Sequence, residues 1–477
     1  MLLRYTAALS RRCPWWCPAV CRWQAIRVRS GEQVSEPTAS CACDVLVIGG
    51  GPAGSTAATL LAGKGYRVVL LEKAHHPRFH IGESLLPANL PMFERLGVAD
   101  EMRRIGMEKW GAEFVSPWHA HRQVFQFGDA WDKSMPHAYQ VKRADFDHIL
   151  IRNAAKRGVQ VIEGCRVRDV EFLARGAGAI VKAEHEDGRS EQWQTRFVVD
   201  ASGRDTFMAN RLKAKHRNPR HNSAAMYAHF EGVTRNAGRA EGNICIFWFE
   251  HGWFWLIPLQ DGVTSIGATV WPYYMKTRRE PLPEFFDKTI AQCPALAERL
   301  KDARIVTPVE ATGNFSYMTD HTHGDNYVLL GDAFAFIDPV FSSGVMLAMQ
   351  SAVFGAEAID TCLREPERRM AALARFDKAV RRGPTEFSWF IYRITSPTMR
   401  ELFMGPRNIL RMKEALLSLL AGDIFGKTPI WRSLLAFKVL YYASSVLNFR
   451  RSFAAWRRRR VNIQPVDAGG LQSDEQV

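Results

Sequence analysis

No segment of the chain offers the roughly 20 uninterrupted apolar residues that a membrane-spanning helix needs, because its longest apolar runs carry internal charges. No period repeats along the 477 residues, which excludes solenoid, coiled-coil and collagen-like architectures. Apolar side chains are not scarce. At 47% hydrophobic and 23% charged residues, a disordered or low-complexity chain is excluded. The length fits two or three domains, or one large α/β core with insertions.

Acidic residues are missing from two places. Residues 1–43 hold six arginines and no acid before Glu32, the pattern of a targeting leader or of an unstructured extension outside the fold. From Arg432 to Arg460 there are eight Lys/Arg and no acid, closing in four arginines, 457–460. Phe437, Tyr441, Tyr442, Phe449, Phe453 and Trp456 interleave with them. The net charge of +14 invites a nucleic-acid reading, but no nucleic-acid module surrounds the patch, so no such partner is expected. Two readings of 432–460 stand: a basic amphipathic helix on an anionic membrane surface, or a packed helix with a solvated basic tail.

A zinc-type cysteine set is also lacking. Cys13, Cys17 and Cys21 are spaced helically, yet Pro14 and Pro18 break a helix there and no histidine flanks them, so no metal is expected. Cys165, Cys245, Cys293 and Cys362 are scattered and read as reduced core thiols. That usage predicts a cytoplasmic protein, with 432–460 available to the inner face of the membrane.

What is present begins at Asp44. The run Asp44-Val45-Leu46-Val47-Ile48 reads as a strand buried on both faces. Gly49-Gly50-Gly51-Pro52-Ala53-Gly54 follows and opens an Ala-rich helix through Leu61. Gly49 permits the tight turn, Gly51 lets the backbone approach a pyrophosphate, and Gly54 permits close helix–strand packing. The helix N-terminus favours the diphosphate charge. A second strand ends at Glu72, 23 residues after Gly49, where a carboxylate accepts hydrogen bonds from an adenosine ribose. Two later strands, ending at Asp200 and in the turn Gly331-Asp332, suit the returning segments of a flavoprotein. Asp332 is expected on ribityl or ribose hydroxyls, or else as a helix cap. Trp253, Trp255 and Ile257 alternate on one strand face up to Pro258 and read as core or pocket wall.

Three segments carry a family resemblance. Pro77-Arg78-Phe79-His80-Ile81-Gly82-Glu83-Ser84, Trp253-Phe254-Trp255-Leu256-Ile257-Pro258 and Gly331-Asp332-Ala333 through Asp338-Pro339 to Ser342-Ser343-Gly344 resemble the signatures of flavin-dependent halogenases. These fall within the wider monooxygenases of the hydroxybenzoate-hydroxylase fold, and the likeness covers residues 43–370. It implies reduced FAD supplied by a separate flavin reductase, with oxygen and chloride or bromide giving hypohalous acid. A lysine then delivers the halogen to an electron-rich aromatic ring. Lys109, 25 residues after Ser84, is the matching lysine, acting as a haloamine or as a hydrogen-bond donor to hypohalous acid. The resemblance further implies cofactor contacts at Gly49, Gly51, Pro52, Ala53, Gly54, Glu72, Lys73, Ser84, Arg143 and Asp332. Ser342, Ser343 and Gly344 become a halide nest, and Trp253 and Trp255 line the tunnel.

Tryptophan halogenases carry a glutamate where this chain has Phe341, so a phenolic, pyrrole or carrier-tethered ring is expected as substrate and free tryptophan is not. Asp200-Ala201-Ser202-Gly203 departs from the Asp-Gly pair of single-component hydroxylases. The rival reading is an aromatic hydroxylase or epoxidase that uses the flavin hydroperoxide directly and has no use for Lys109. A chemically silent membrane-surface protein on the same fold is the third.

The expected architecture is α/β. A Rossmann-like FAD-binding domain (about 44–115, 141–205 and 320–370) holds an inserted, mostly antiparallel substrate domain (about 116–140 and 206–319). A helical C-terminal region (371–465) and a tail (466–477) complete it.

Overall fold

The computed structural model describes residues 41–462 except 220, 314 and 315. The expected leader as far as residue 40, with Cys13, Cys17 and Cys21, and the tail from 466 lie outside the described residues. The first apolar run forms the strand Cys41–Ile48, central in a ladder ordered His323–Gly324, Tyr327–Leu329, Ser190–Asp200, Cys41–Ile48, Val68–Leu71, Gln160–Ile162. All but the outermost pair, His323–Gly324 with Tyr327–Leu329, run parallel. Val45, Leu46 and Val47 are wholly buried, as a strand covered on both faces requires. The helix Pro52–Ala62, packed against both Arg143–Lys156 and Gly344–Arg364, supplies a helical layer of that cover. Val167, Val170 and Val181 of the antiparallel strands Cys165–Phe172 and Ala179–His185 join the same core. The strand starts at Cys41 rather than at 44 because Ser190–Asp200 is long enough to pair with it from Trp193 onward.

A second sheet is ordered Arg304–Ile305, Ala224–Glu231, Thr264–Val270, Gly252–Pro258, Ile244–Phe249, Gly111–Val115, Gln123–Gln126. It is antiparallel except where Ile244–Phe249 meets Gly111–Val115. Gly111–Val115 was expected in the FAD portion. It joins this sheet instead because Phe114 packs among Trp248, Phe125 and Phe403, with ring centroids 5.3–5.7 Å apart. One sheet face carries Trp248, Trp253 and Trp255 into the main aromatic core. The other carries Phe254 and Leu256 under the helices Leu282–Ala291 and Pro294–Arg299.

The C-terminal region is helical, as expected: Arg369–Ile391, Pro397–Met404, Met412–Leu420, Trp431–Leu447 and Phe449–Asn462. Leu416, Leu417 and Leu419 are fully buried in the same core as the tryptophans, so these helices close that core. The basic stretch is two helices separated at Asn448. Its inner side, Leu434 and Phe437, belongs to the core, whereas Leu435, Val439 and Val446 stand 57–72% exposed. No helix among the described residues is long and apolar enough to cross a membrane.

Candidate active site

The glycines of the first turn divide by what a side chain would meet. At Gly49, with φ +99°, a Cβ would lie 2.5 Å from the Ala201 carbonyl oxygen. At Gly54 it would lie 1.9 Å from the Gly49 carbonyl oxygen. Both glycines are demanded by the fold itself. Gly51 has an ordinary φ of −71°, and its Cβ would meet only Arg78 Nη2, at 3.9 Å. The space above Gly51 is open, at the N-terminus of a helix that starts with Pro52 and the buried Ala53 and has no acid in its first turn. A diphosphate fits there.

Glu72 is 4% exposed and each of its oxygens accepts one backbone amide, from Gly50 at 2.6 Å and Ala74 at 2.9 Å. The carboxylate thus braces the glycine loop and retains lone pairs for a ribose hydroxyl. Lys73 pairs with Asp205 at 2.6 Å on the surface. Arg143 turns inward: Nε and Nη2 each donate to Asp147 at 2.9 Å, and Nη1 donates to the Ile81 carbonyl at 3.0 Å. Its guanidinium therefore braces the segment before Ser84. Arg78, the guanidinium nearest Gly51, went unassigned in the sequence, although Pro77-Arg78-Phe79 was itself a signature. Its Nη1 reaches Asp147 at 3.4 Å and the side chain keeps 24% exposure, a cation positioned for phosphate oxygens.

Asp332 sits on the turn Gly331–Ala333 after the strand Tyr327–Leu329. Burial pushes its carboxyl up to about 6, against the pull of Arg204 and Arg143. Its backbone carbonyl accepts from Tyr317 Oη at 2.9 Å, but no ion pair or hydrogen bond to the carboxylate occurs among the described residues. A half-buried acceptor without a partner among the described residues suits a cofactor hydroxyl, and together with the open Gly51 cradle it makes this residue set fit FAD.

Lys109 ends the strand Met107–Lys109, which pairs with Ala138–Gln140. The side chain is 1% exposed. Its Nζ donates to Ser84 Oγ at 2.9 Å and to the Leu85 carbonyl at 3.0 Å, and stands 5.3 Å from the Phe127 ring centre. Burial lowers its pKa to about 7. Ser84, expected on the cofactor, is thus a partner of the lysine, held beside it by its bridge to Gln140. Trp110 packs under Arg239 and beside His137.

The walls are aromatic. Trp253 and Trp255 lie 5.9 Å apart on one face of Gly252–Pro258, and the Trp255 indole donates to Ser265 Oγ at 3.2 Å. Phe341 is buried and stacked at 3° on Phe403, so no carboxylate occupies that position. Ser342, with φ +56°, and Ser343, with φ −81°, make a left-then-right-handed pair, the backbone of an anion nest. They open the 21-residue helix Gly344–Arg364, whose first-turn amides lack intrahelical partners. Ser343 Oγ is buried without a hydrogen bond, and no atom lies within 4 Å of where a Gly344 Cβ would be. Away from this site, Cys165, His185 and Glu191 gather within 4.8 Å. There Trp193 and Cys165 already donate to the same Glu191 oxygen.

The FAD binding domain family matches residues 42–377. A tryptophan 2-halogenase of Chondromyces crocatus is 35% identical over 324 residues, covering 67% of this chain and 61% of that protein. A 1H-pyrrole-2-carbonyl carrier-protein chlorinase of Pseudomonas fluorescens is 29% identical over 406 residues, 80% of this chain and 90% of that one. The flavin-dependent halogenase armH3 of Armillaria mellea is 32% identical over 457 residues, 89% and 88%. Among solved structures, the myxobacterial chondrochloren halogenase CndH superposes with a TM-score of 0.71 at 34% identity, covering 82% of this chain and 93% of that one. With a family match over most of its length and relatives of this identity and coverage, the chain belongs to the flavin-dependent halogenases.

Proposed function

We propose that the protein halogenates an electron-rich aromatic ring, a phenol, a pyrrole or a carrier-tethered ring, through Lys109. The observation that carries this reading is a wholly buried lysine with a pKa near 7 beside an aromatic-walled core. When bound, reduced FAD would supply the two electrons that activate oxygen, so that one oxygen atom oxidises chloride or bromide to hypohalous acid and the other leaves as water. A separate flavin reductase is the source of the reduced cofactor.

The residues divide the remaining work. Gly51 and Arg78 receive the diphosphate, Glu72 and Asp332 accept cofactor hydroxyls, and the Ser342–Gly344 nest holds the halide. At neutral pH Lys109 exists as amine and as ammonium in comparable amounts. The amine takes halogen from hypohalous acid, forming an N–X bond and releasing water. Substitution on the ring then breaks the N–X bond, and the proton lost by the ring returns to nitrogen to restore the amine. The ammonium instead hydrogen-bonds hypohalous acid and aims it. Trp253 and Trp255 exclude water from the path and take no chemical part.

A second reading, the indole of free tryptophan, rests on the tryptophan 2-halogenase relative, against the Phe341–Phe403 stack where other tryptophan halogenases carry a glutamate. Candidate phenols, pyrroles and tryptophan should be incubated with FAD, a reductase, oxygen and bromide, then weighed intact. A two-isotope bromine pattern on a phenol or pyrrole supports the first reading, and on tryptophan the second. Addition of one oxygen alone favours the hydroxylase and sinks both.

The reading extends to a cytoplasmic enzyme resting on anionic lipid. Nine of the sixteen exposed large hydrophobic residues among those described fall between Leu435 and Val461. Phe449, Phe453 and Trp456 form a stacked exposed ladder, each step 5.6 Å, flanked by Arg450, Arg457, Arg458 and Arg460. Aromatic ridges among arginines suit a headgroup interface.

A further inference from the structure

Behind the nest runs a chain of contacts that ends in the C-terminal basic helix. Asp338, 2% exposed, opens the loop. One carboxylate oxygen accepts the Val340 amide at 3.2 Å. The other accepts Ser223 Oγ at 2.9 Å and lies 3.0 Å from His221 Nε2. His221 is 5% exposed, stacked on Tyr392 at 4.9 Å and edge-on to Trp271 at 5.7 Å. Its Nδ1 lies 3.4 Å from Arg459 Nη2, and the Arg459 guanidinium stands 6.0 Å over the Tyr392 ring. Arg457, Arg458 and Arg460 are exposed, so of the four closing arginines Arg459 alone turns into the fold.

The chemistry of this chain is ordered. A carboxylate acceptor puts the imidazole proton on Nε2, which leaves Nδ1 as an acceptor for Arg459. Burial lowers the pKa of His221 and keeps it neutral. The buried negative charge of Asp338 therefore finds its cation one imidazole away, and a buried carboxylate without such compensation is costly. Asp338 also caps the turn Pro339–Phe341, which delivers Ser342 in its left-handed conformation. The same carboxylate thus answers to Arg459 on one side and shapes the nest on the other.

We propose that Asp338, His221 and Arg459 form a positioning relay that sets the Ser342–Gly344 loop and with it the affinity for halide. The effect on affinity rests on the reading of that loop as the halide nest; the effect on loop order does not. Whatever shifts the helix Phe449–Asn462 then also tunes halide binding.

Hydrogen exchange on the cofactor-free full chain tests loop order without turnover. Arg459→Ala and His221→Ala should each speed exchange in peptides covering 338–347 and leave 52–62 unchanged, whereas Arg458→Ala should alter neither. In the loaded enzyme, Arg459→Ala should raise the bromide KM about tenfold, the equivalent of one hydrogen bond to a charged group, with kcat little changed. Arg459→Lys should recover part of that loss. Unchanged exchange across 338–347 in both alanine variants overturns the relay. Faster exchange with an unaltered bromide KM overturns its effect on halide and the halide reading of the loop. Loss of all halogenation by the wild type would defeat the proposed function, yet the exchange result would still judge the relay.

Discussion

Replacing Lys109 with methionine should abolish halogenation and stabilise the fold at once. Burial holds the Lys109 amine down to about 7 in the native protein, against 10.5 for a lysine in water. At 1.36 kcal/mol per unit, holding an ammonium in this site costs about 5 kcal/mol relative to the unfolded chain. Between those two pKa values the unfolded chain binds more protons, so native stability rises with pH across the window. Below about pH 7 the penalty is present in full, and above about 10.5 it is gone. Methionine fills a similar volume but leaves Ser84 Oγ and the Leu85 carbonyl without their donor, at a cost of roughly 1–3 kcal/mol for each unsatisfied group. With both groups near the middle of that range, the balance at neutral pH is a gain of about 1 kcal/mol for the variant. Urea unfolding of cofactor-free wild type and Lys109→Met, at about pH 6.5 and again at about pH 9.5, measures it. The variant should be the more stable at the lower pH and should lose its advantage at the higher one. Other titrating groups are common to both proteins and cancel in the difference. A gap that does not move with pH would refute the buried, depressed amine.

Two further tests bear on the site and the surface. Gly51→Val should fold and melt like the wild type, because its Cβ meets only Arg78 Nη2 at 3.9 Å, yet purify without flavin absorbance; a normal flavin load would remove the cradle assignment. The intact protein should float with anionic vesicles at low salt, and Phe453→Glu with Trp456→Glu should stay below, given roughly 1 kcal/mol per basic residue near such a surface. These substitutions are cleaner than truncation after Pro429, which would strip Leu434 and Phe437 from the core. Wild type left in the soluble fraction at low salt rules the surface out.

The glycine loop was legible because its demands are local. A tight turn and a helix packed on a strand fix Gly49 and Gly54 whatever the rest of the chain does. Lys109 could be found only by its motif. Its burial comes from pairing with Ala138–Gln140 and from the bridge of Ser84 to Gln140, contacts between segments far apart in sequence. Ser84 and Arg143 are expected on the cofactor by analogy; the hydrogen bonds they make within the chain, to the lysine and to Asp147, had no signal in the sequence. Arg78 escaped because a lone arginine in a loop shows nothing of the open space above Gly51 that it will border. Four consecutive arginines read as one solvated cluster. The helical period turns one of the four toward Tyr392 and His221, and the sequence gives no sign of which.

The strand Gly252–Pro258 is a partition shared by two cores. Trp253 and Trp255 face the main aromatic core, the substrate side in the proposed function, while Phe254 and Leu256 rest on Phe286 and its helix behind. With alternation fixed at two residues, nothing on one side moves without the other. The rear layer is therefore an adjusting screw for the wall. Swapping volume among Phe254, Leu256 and Phe286 tilts the tryptophans by fractions of an ångström, reshaping the room for a substrate that none of the three ever touches. Selection, natural or in the laboratory, can widen or narrow substrate choice there while every residue in contact with the ring stays as it is.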